Sequence, residues 1–325
     1  PSLSIKRNDL EWQASLPISL VNRNFGEEGS TRLIMTPTTS LKYQLTSRLS
    51  VSTYYNYNWQ PASLGDMTAV PIFNSYRSYN TGLGRLYAEN GHNGRLRLEY
   101  TDPINGLFGN INGSLLYNSN IPLRNSLLEG LIYHSSPSEE YINNALWMLS
   151  GRLSKSLGIM KLIAALEGQL TSNHTTTMMN GRRLPFRYDS YRCGISFSLR
   201  PSQTLSFEEK SYYQYSCQIS TSDRSLDSRA LRSFTHTLKT YYMPGHWQIE
   251  WTNEMYHSND HSVSFTFFSD LLVSYRTKEF EVGIQMDNLF GNNKYERHHI
   301  STYYTNYTIN RLRPREILFK ASFDL

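Results

Sequence analysis

The 325 residues carry a net charge of only +5, with aromatic residues at 13% and charged residues at 18%. No stretch approaches the roughly 18 consecutive apolar residues of a membrane-spanning helix, and the longest, Ile159 to Leu166, is interrupted by Lys161. Lys and Arg are scattered and form no basic stripe, so a nucleic-acid partner is not expected.

Taken in order, the chain repeats one pattern of apolar alternation, short turn, apolar alternation and long polar connection. The first predicted strand is Leu10, Trp12, Ala14, Leu16, Ile18, Leu20, followed by a polar loop from Asn22 to Thr31. The next ends on Leu41, Tyr43, Leu45, turns at Thr46-Ser47 and returns as Leu49, Val51, Tyr55, Tyr57, Trp59. A long insert rich in Asn, Tyr, Gly and Ser, without helical period, runs from about Gln60 to Gly91. Leu96, Leu98 and Tyr100 lead into the turn Asp102-Pro103-Ile104-Asn105-Gly106, and Phe108 to Tyr117 lead out of it. An excursion from Asn118 to Tyr141 follows, in which Leu127-Leu128 and Leu131-Ile132 point to sheet continuing into it.

Ala145 to Leu153 then descend to a turn near Lys155-Ser156, and Leu162 to Leu170 climb back to a polar loop at Thr171 to Leu184. Three further short turns are expected at Arg200 to Gln203, Met243 to His246 and Thr277-Lys278. Their flanking strands carry Tyr191/Ile195/Phe197, Phe207/Tyr213/Tyr215, Phe234/Leu238/Tyr242, Trp247/Ile249/Trp251 and Phe265/Phe267/Leu271. The last two predicted strands are Phe280 to Met286 and Ile317 to Leu325.

A helix would spread Trp247, Ile249 and Trp251 around its circumference, so the period excludes one. About fourteen strands with alternately short and long connections describe an all-β, antiparallel up-and-down transmembrane barrel. One face of each strand meets lipid and the other meets water. Glu11, Gln13, Lys42, Gln44, Arg95, Arg97, Glu99, Arg152, Lys161, Glu167, Glu208, Lys210, Glu250, Glu254, Glu281 and Lys320 are assigned to the wet face. Tyr54, Tyr55, Tyr57, Trp59, Tyr212, Tyr213, Tyr215, Tyr241 and Tyr242, near strand ends, fit aromatic girdles at the lipid headgroups. Cys193 and Cys217 are expected as free thiols, because hairpin register sets them roughly seven residues, or more than about 20 Å, apart along the strand. His257, Asp260 and His261, with His298-His299, group imidazoles on loops, which reads as solvated histidine, and no metal site or catalytic residue is assigned.

The stretch Asp287-Asn288-Leu289-Phe290-Gly291-Asn292-Asn293-Lys294-Tyr295, with the terminal strand Leu312-Arg313-Pro314-Arg315-Glu316-Ile317-Leu318-Phe319-Lys320-Ala321-Ser322-Phe323-Asp324-Leu325, resembles the C-terminal end of TonB-dependent outer-membrane receptors. Gly94-Arg95-Leu96-Arg97-Leu98-Glu99-Tyr100 and Ser150-Gly151-Arg152-Leu153-Ser154-Lys155 resemble their barrel portion. The resemblance implies that residues 1–325 are the C-terminal part of a 22-stranded barrel, with plug domain and signal peptide outside this sequence. It implies energised uptake of a scarce nutrient (siderophore, cobalamin, glycan or peptide) across the outer membrane of a Gram-negative bacterium, with no cofactor and no enzymatic activity. The implied partners are outer-membrane lipid, an inner-membrane energising complex acting through the plug, a surface lipoprotein and the small nutrient ligand. A complete 14-stranded passive porin is the alternative. Tyr303, Tyr304, Asn306 and Tyr307, on the last long loop, are the ligand-binding candidates at the outer mouth.

Overall fold

A computed structural model describes residues 1–325 except 229, 260–264, 292–293, 301–304, 312–313 and 324–325. Its strands are β1 (Ser2–Arg7), β2 (Leu10–Ser15), β3 (Ile18–Phe25), β4 (Glu28–Met35), β5 (Thr38–Gln44), β6 (Leu49–Pro61), β7 (Ile72–Ser75), β8 (Ser78–Asn80), β9 (Ala88–Asp102), β10 (Leu107–Glu129) and β11 (Ile132–Leu157). They continue as β12 (Leu162–Met179), β13 (Arg182–Leu199), β14 (Leu205–Ser220), β15 (Leu231–Tyr242), β16 (Trp247–Ser258), β17 (Phe265–Arg276), β18 (Phe280–Asp287), β19 (Lys294–Ile300), β20 (Thr305–Arg311) and β21 (Glu316–Phe323). One short helix, α1 (Leu64–Met67), interrupts them. Seventeen strands form one sheet, and β7 and β8 aside these make a single antiparallel meander from β1 through β2, β5, β6 and β9–β18 to β21.

All fourteen expected spans are present, and β1 adds one before them. Among the described residues β1 pairs only with β2, and β21 only with β18, so the sheet has two open edges.

Register proves the two-faced reading, because residues opposite one another in an antiparallel ladder project to the same side. One row runs Glu11, Lys42, Ser52, Arg97, Asn112, Ser150, Gln169, Arg192, Gln214 across β2 to β14. One residue away, the opposite side reads Val51, Leu98, Ile111, Gly151, Gly168, Cys193, Tyr213, Phe234. Large apolar side chains there stay open, Ile111 at 51%, Leu166 at 57% and Phe319 at 80% exposure. Aliphatic surface left bare around a whole sheet is matched by hydrocarbon and not by water.

The connections depart from expectation at several places. The loop expected at Asn22 to Thr31 is the β3–β4 hairpin, which prolongs β2 and β5. Pro17 and Pro37 have no amide proton to give the ladder, and the sheet is broken there. The loop expected at Thr171 to Leu184 is strand up to Met179 and from Arg182 onward, closed by Asn180-Gly181, both at positive φ (48° and 76°) as a two-residue hairpin turn requires. The turn expected at Lys155-Ser156 falls later, at residues 158–161, so Lys161 belongs to a short turn and not to the wet face.

Above the meander, β10 and β11 continue as the extension their leucines predicted, but the hairpin swivels. Lower down β11 lies between β10 and β12; at the tip, β10 pairs in parallel with β12 at Asn125↔Met178 while β11 pairs with β8 at Tyr133↔Ser78. The crossover sits at two register shifts, between Asn118 and Ile121 and between Pro122 and Arg124. Asn120 takes a positive φ of 62° there, its amide donates to the Ala88 carbonyl, and Leu123 is fully buried beneath. Cys193 and Cys217 are both free; they oppose Tyr213 and Asp189, closer in register than expected but still unbridged.

Candidate functional site

The polar face of β2 to β12 holds a cleft of about 820 Å³. Strand alternation delivers its polar lining: Glu11 and Gln13 from β2, Lys42 from β5, Tyr54 from β6, Arg95 and Arg97 from β9, Asn112 from β10 and Gln169 from β12, with Leu116, Leu146 and Met148 on the same face. Arg95 carries its guanidinium 5.8 Å from the centre of the Tyr54 ring, so Tyr54 faces the cleft and not the lipid girdle. Arg97 sits 3.2 Å from Glu99, and Gln13 donates to Glu11 at 3.3 Å.

A second hollow adjoins it, where Arg152 pairs with Glu167 at 2.9 Å and Arg192 lies 4.2 Å from the Tyr212 ring centre. Tyr212 is thus a second inward tyrosine. Its ring occupies the space over Gly194, where a Cβ would meet it at 2.4 Å, so this position requires glycine. Tyr241 shares the inward parity, opposite Glu250, which leaves Tyr55, Tyr57, Trp59, Tyr213, Tyr215 and Tyr242 on the lipid side as expected. Tyr57 and Tyr117 flank His92, whose Nδ1 lies 2.9 Å from the Tyr55 hydroxyl. Trp247, Tyr275 and Phe280 form a matching aromatic group at the short-turn end.

From β14 onward the same face changes sign. Glu208, Glu250, Glu254, Asp270, Glu281 and Asp287 outnumber Lys210, Lys239, Arg276 and Lys320. Asp270 accepts the Asn288 amide at 2.7 Å, Asp287 accepts from Gln285 at 2.8 Å, and Lys320 bonds Gln285.

The lipid-facing parity has an exception on β14 and β15. Ser211 donates to Glu209 Oε1 at 2.5 Å and lies 2.7 Å from His236 Nδ1, which is itself 3.1 Å from Glu209 Oε1. Nearby, Trp251 Nε1 donates to Ser269, which donates to Asn253, each at 2.9 Å. Polar groups on this side satisfy one another locally, although Glu209 Oε2 is buried without a partner.

Of the predicted ligand residues, Tyr303 and Tyr304 lie outside the described residues, as do Asp260 and His261. Asn306 and Tyr307 sit on β20, opposite His299 and His298 of β19, so one hairpin unites two stretches that the sequence presents separately. His257 is not on a loop but within β16, opposite Phe265.

At the long-loop end, the insert between β6 and β9 is tied down by groups that strand reading passed over. Arg124 pairs with Asp66, Glu28 accepts the Leu86 amide at 2.8 Å, and Arg23 donates to the Tyr87 carbonyl at 2.9 Å. Burial, then the carboxylates of Asp66 and Glu89, push the Tyr87 phenol up to about 12. One local signal was there to read: Ser63-Leu64-Gly65-Asp66 is a capping box, with Ser63 Oγ accepting from the Asp66 amide at 3.2 Å and donating to its carboxylate at 2.7 Å.

No protein-family model matches the chain, and no curated protein sequence matches it. Solved structures do. A doubly substituted ferric enterobactin receptor (PfeA) from Pseudomonas aeruginosa superposes with a TM-score of 0.55 at 12% identity, over 90% of this chain and 46% of that one. A singly substituted form of the same receptor, in complex with enterobactin, gives 0.53 at 11% identity, over 88% and 46%. The chain spans just under half the length of the receptors it matches. The likeness is one of fold, an antiparallel up-and-down sheet that follows part of the barrel of those proteins.

Proposed function

We propose that the chain is part of the wall of an outer-membrane transporter of a Gram-negative bacterium, taking up a scarce small nutrient by energised import. The observation that carries this reading is the sheet with one bare aliphatic and aromatic side and an opposite side on which the charged and polar residues of the spans are gathered, which is what a lipid-embedded solute pathway needs. The receptor fold supports uptake of a small ligand. The open edges at β1 and β21 are assigned to further strands of a 22-stranded barrel. An inner-membrane complex pulling on a plug domain in its lumen supplies the energy, and a surface lipoprotein is the partner assigned to the long-loop end.

Ligand contact at the outer mouth is assigned to Tyr303, Tyr304, Asn306 and Tyr307. No chemical step is assigned to any residue. The test is accumulation of ferric siderophores, cobalamin, oligosaccharides and peptides by cells producing the full-length protein. Uptake of one of them that a protonophore abolishes is the expected result. Steady ion conductance by residues 1–325 alone in planar bilayers, without an energy source, would replace the importer with a passive pore.

A further inference from the structure

We infer that the cleft on β2 to β12 binds a solute or segment bearing two or more carboxylate or phosphate groups. The inference rests on the reading of the polar face as the wall of a lumen. Three cations line the cleft, Lys42, Arg95 and Arg97, against two carboxylates, Glu11 in the lining and Glu99, which pairs with Arg97 at 3.2 Å. Among the described residues, Lys42 and Arg95 have no carboxylate within ion-pair distance, and Glu11 accepts the amide of Gln13. Lys42 and Arg97 share a row two strands apart, which sets their backbones roughly 10 Å from each other. Ser52 lies between them, so a hydrogen-bonding group lines the space separating the charges, and beyond Arg97 the lining passes from Asn112 to Leu116, Leu146 and Met148.

The spacing suits an extended anion with two charged ends better than a single halide. Arg95 is braced against Tyr54, which keeps one side of the guanidinium from water and leaves its edge free for a bidentate carboxylate or phosphate contact. On the face of β14 to β21 carboxylates outnumber cations, which disfavours the same ligand there.

Such groups have two sources, a free solute or the acidic side chains of a protein domain occupying the lumen. The experiment titrates the full chain in detergent micelles with citrate and pyrophosphate, and separately with an oligo-aspartate peptide, at low and high salt. The expected result is binding of citrate or pyrophosphate that weakens with salt and falls at least tenfold in Arg95→Gln/Arg97→Gln, but not in Lys210→Gln/Lys239→Gln. Binding of the peptide alone, with the same dependence on Arg95 and Arg97, assigns the cleft to acidic protein side chains. No binding by any probe, or equal losses in both double variants, overturns the inference. Ser52→Cys and Val51→Cys, treated in liposomes with a charged maleimide, keep the two levels apart. Labelling at Ser52→Cys only, without anion binding, removes this inference and leaves the lumen; equal labelling at both sites removes the lumen itself.

Discussion

The polar wall of β2 to β13 and that of β14 to β21 are built by the same alternation yet carry opposite charge. The first gathers Lys42, Arg95, Arg97, Arg152 and Arg192 around a few partnered carboxylates; the second spreads Glu208, Glu250, Glu254, Asp270 and Glu281 over its surface. Their lipid sides do not differ in this way, since Leu153 and Ile195 on one and Trp251 and Phe319 on the other are all aliphatic or aromatic and all exposed. The fold therefore constrains one side of every strand and leaves the other free to vary. What varies is where a ligand is recognised.

The largest effects should follow from treating the constrained side as if it were free. Ile249→Arg and Leu153→Arg, one on each wall, place a guanidinium on the lipid side, at a cost that rises from the girdle towards about 2–4 kcal/mol at mid-depth. Gln248→Arg and Arg152→Lys, one residue away, should be mild. Heat-modifiable migration on gels reports folding in all four. A strong loss at Gln248→Arg equal to that at Ile249→Arg would show that the two sides are not distinguished.

The Glu209–Ser211–His236 group is where the second wall breaks the rule on its lipid side, and it sharpens the contrast. His236→Leu removes a partner of a half-buried carboxylate and should cost about 1–3 kcal/mol. Glu209→Leu with His236→Leu replaces the group by apolar side chains and should restore most of that loss, since a fully apolar face suits lipid. Urea midpoints of the folded chain in micelles measure both. A double variant weaker than His236→Leu would mean that the group stabilises the sheet beyond satisfying itself.

Strands and their facing were legible in the sequence because each is written in residues two apart: Trp247, Ile249 and Trp251 state their side without help from the rest of the chain. The connections were not legible, because hydrophobicity does not mark where a polar strand continues. Thr171 to Thr177 looks like loop, yet it pairs with residues 184–190 above the lipid, where polar residues face out on both sides. Asn180-Gly181 was the one local mark of that turn. The swivel at Asn120 has no such mark, since it depends on β8 and β12 offering edges to the tip of a distant hairpin. For the cleft, parity brought Glu11, Lys42, Arg95 and Arg97 to one face from sequence alone. It could not show that Tyr54 joins them, because tyrosine suits a girdle and a wet wall equally well.

The insert between β6 and β9 should respond weakly. Arg124 and Asp66 are both more than a third exposed, so solvent screens their pair and Arg124→Ala should cost about 0.5–1 kcal/mol or less. Its expected signature is local: faster proteolysis within residues 62–87 while gel mobility of the folded chain is unchanged. Unchanged proteolysis would show that Glu28 and Arg23 hold the insert without it.

The smallest effects on stability should come from the charges that separate the two walls. Arg97→Gln removes one partner of an exposed pair with Glu99, and Glu254→Gln removes an exposed charge between Thr237 and Phe268; surface changes of this kind stay within about 0.5 kcal/mol. Gel mobility and urea midpoints should therefore match the unsubstituted chain in both. Ligand chemistry should not match: loss of Arg97 should weaken capture of anions, and loss of Glu254 should leave it unaltered, as read by citrate titration at low salt. If Arg97→Gln instead unfolds the chain, its charge serves the packing of the wall. The contrast between the walls would then belong to the fold and not to recognition.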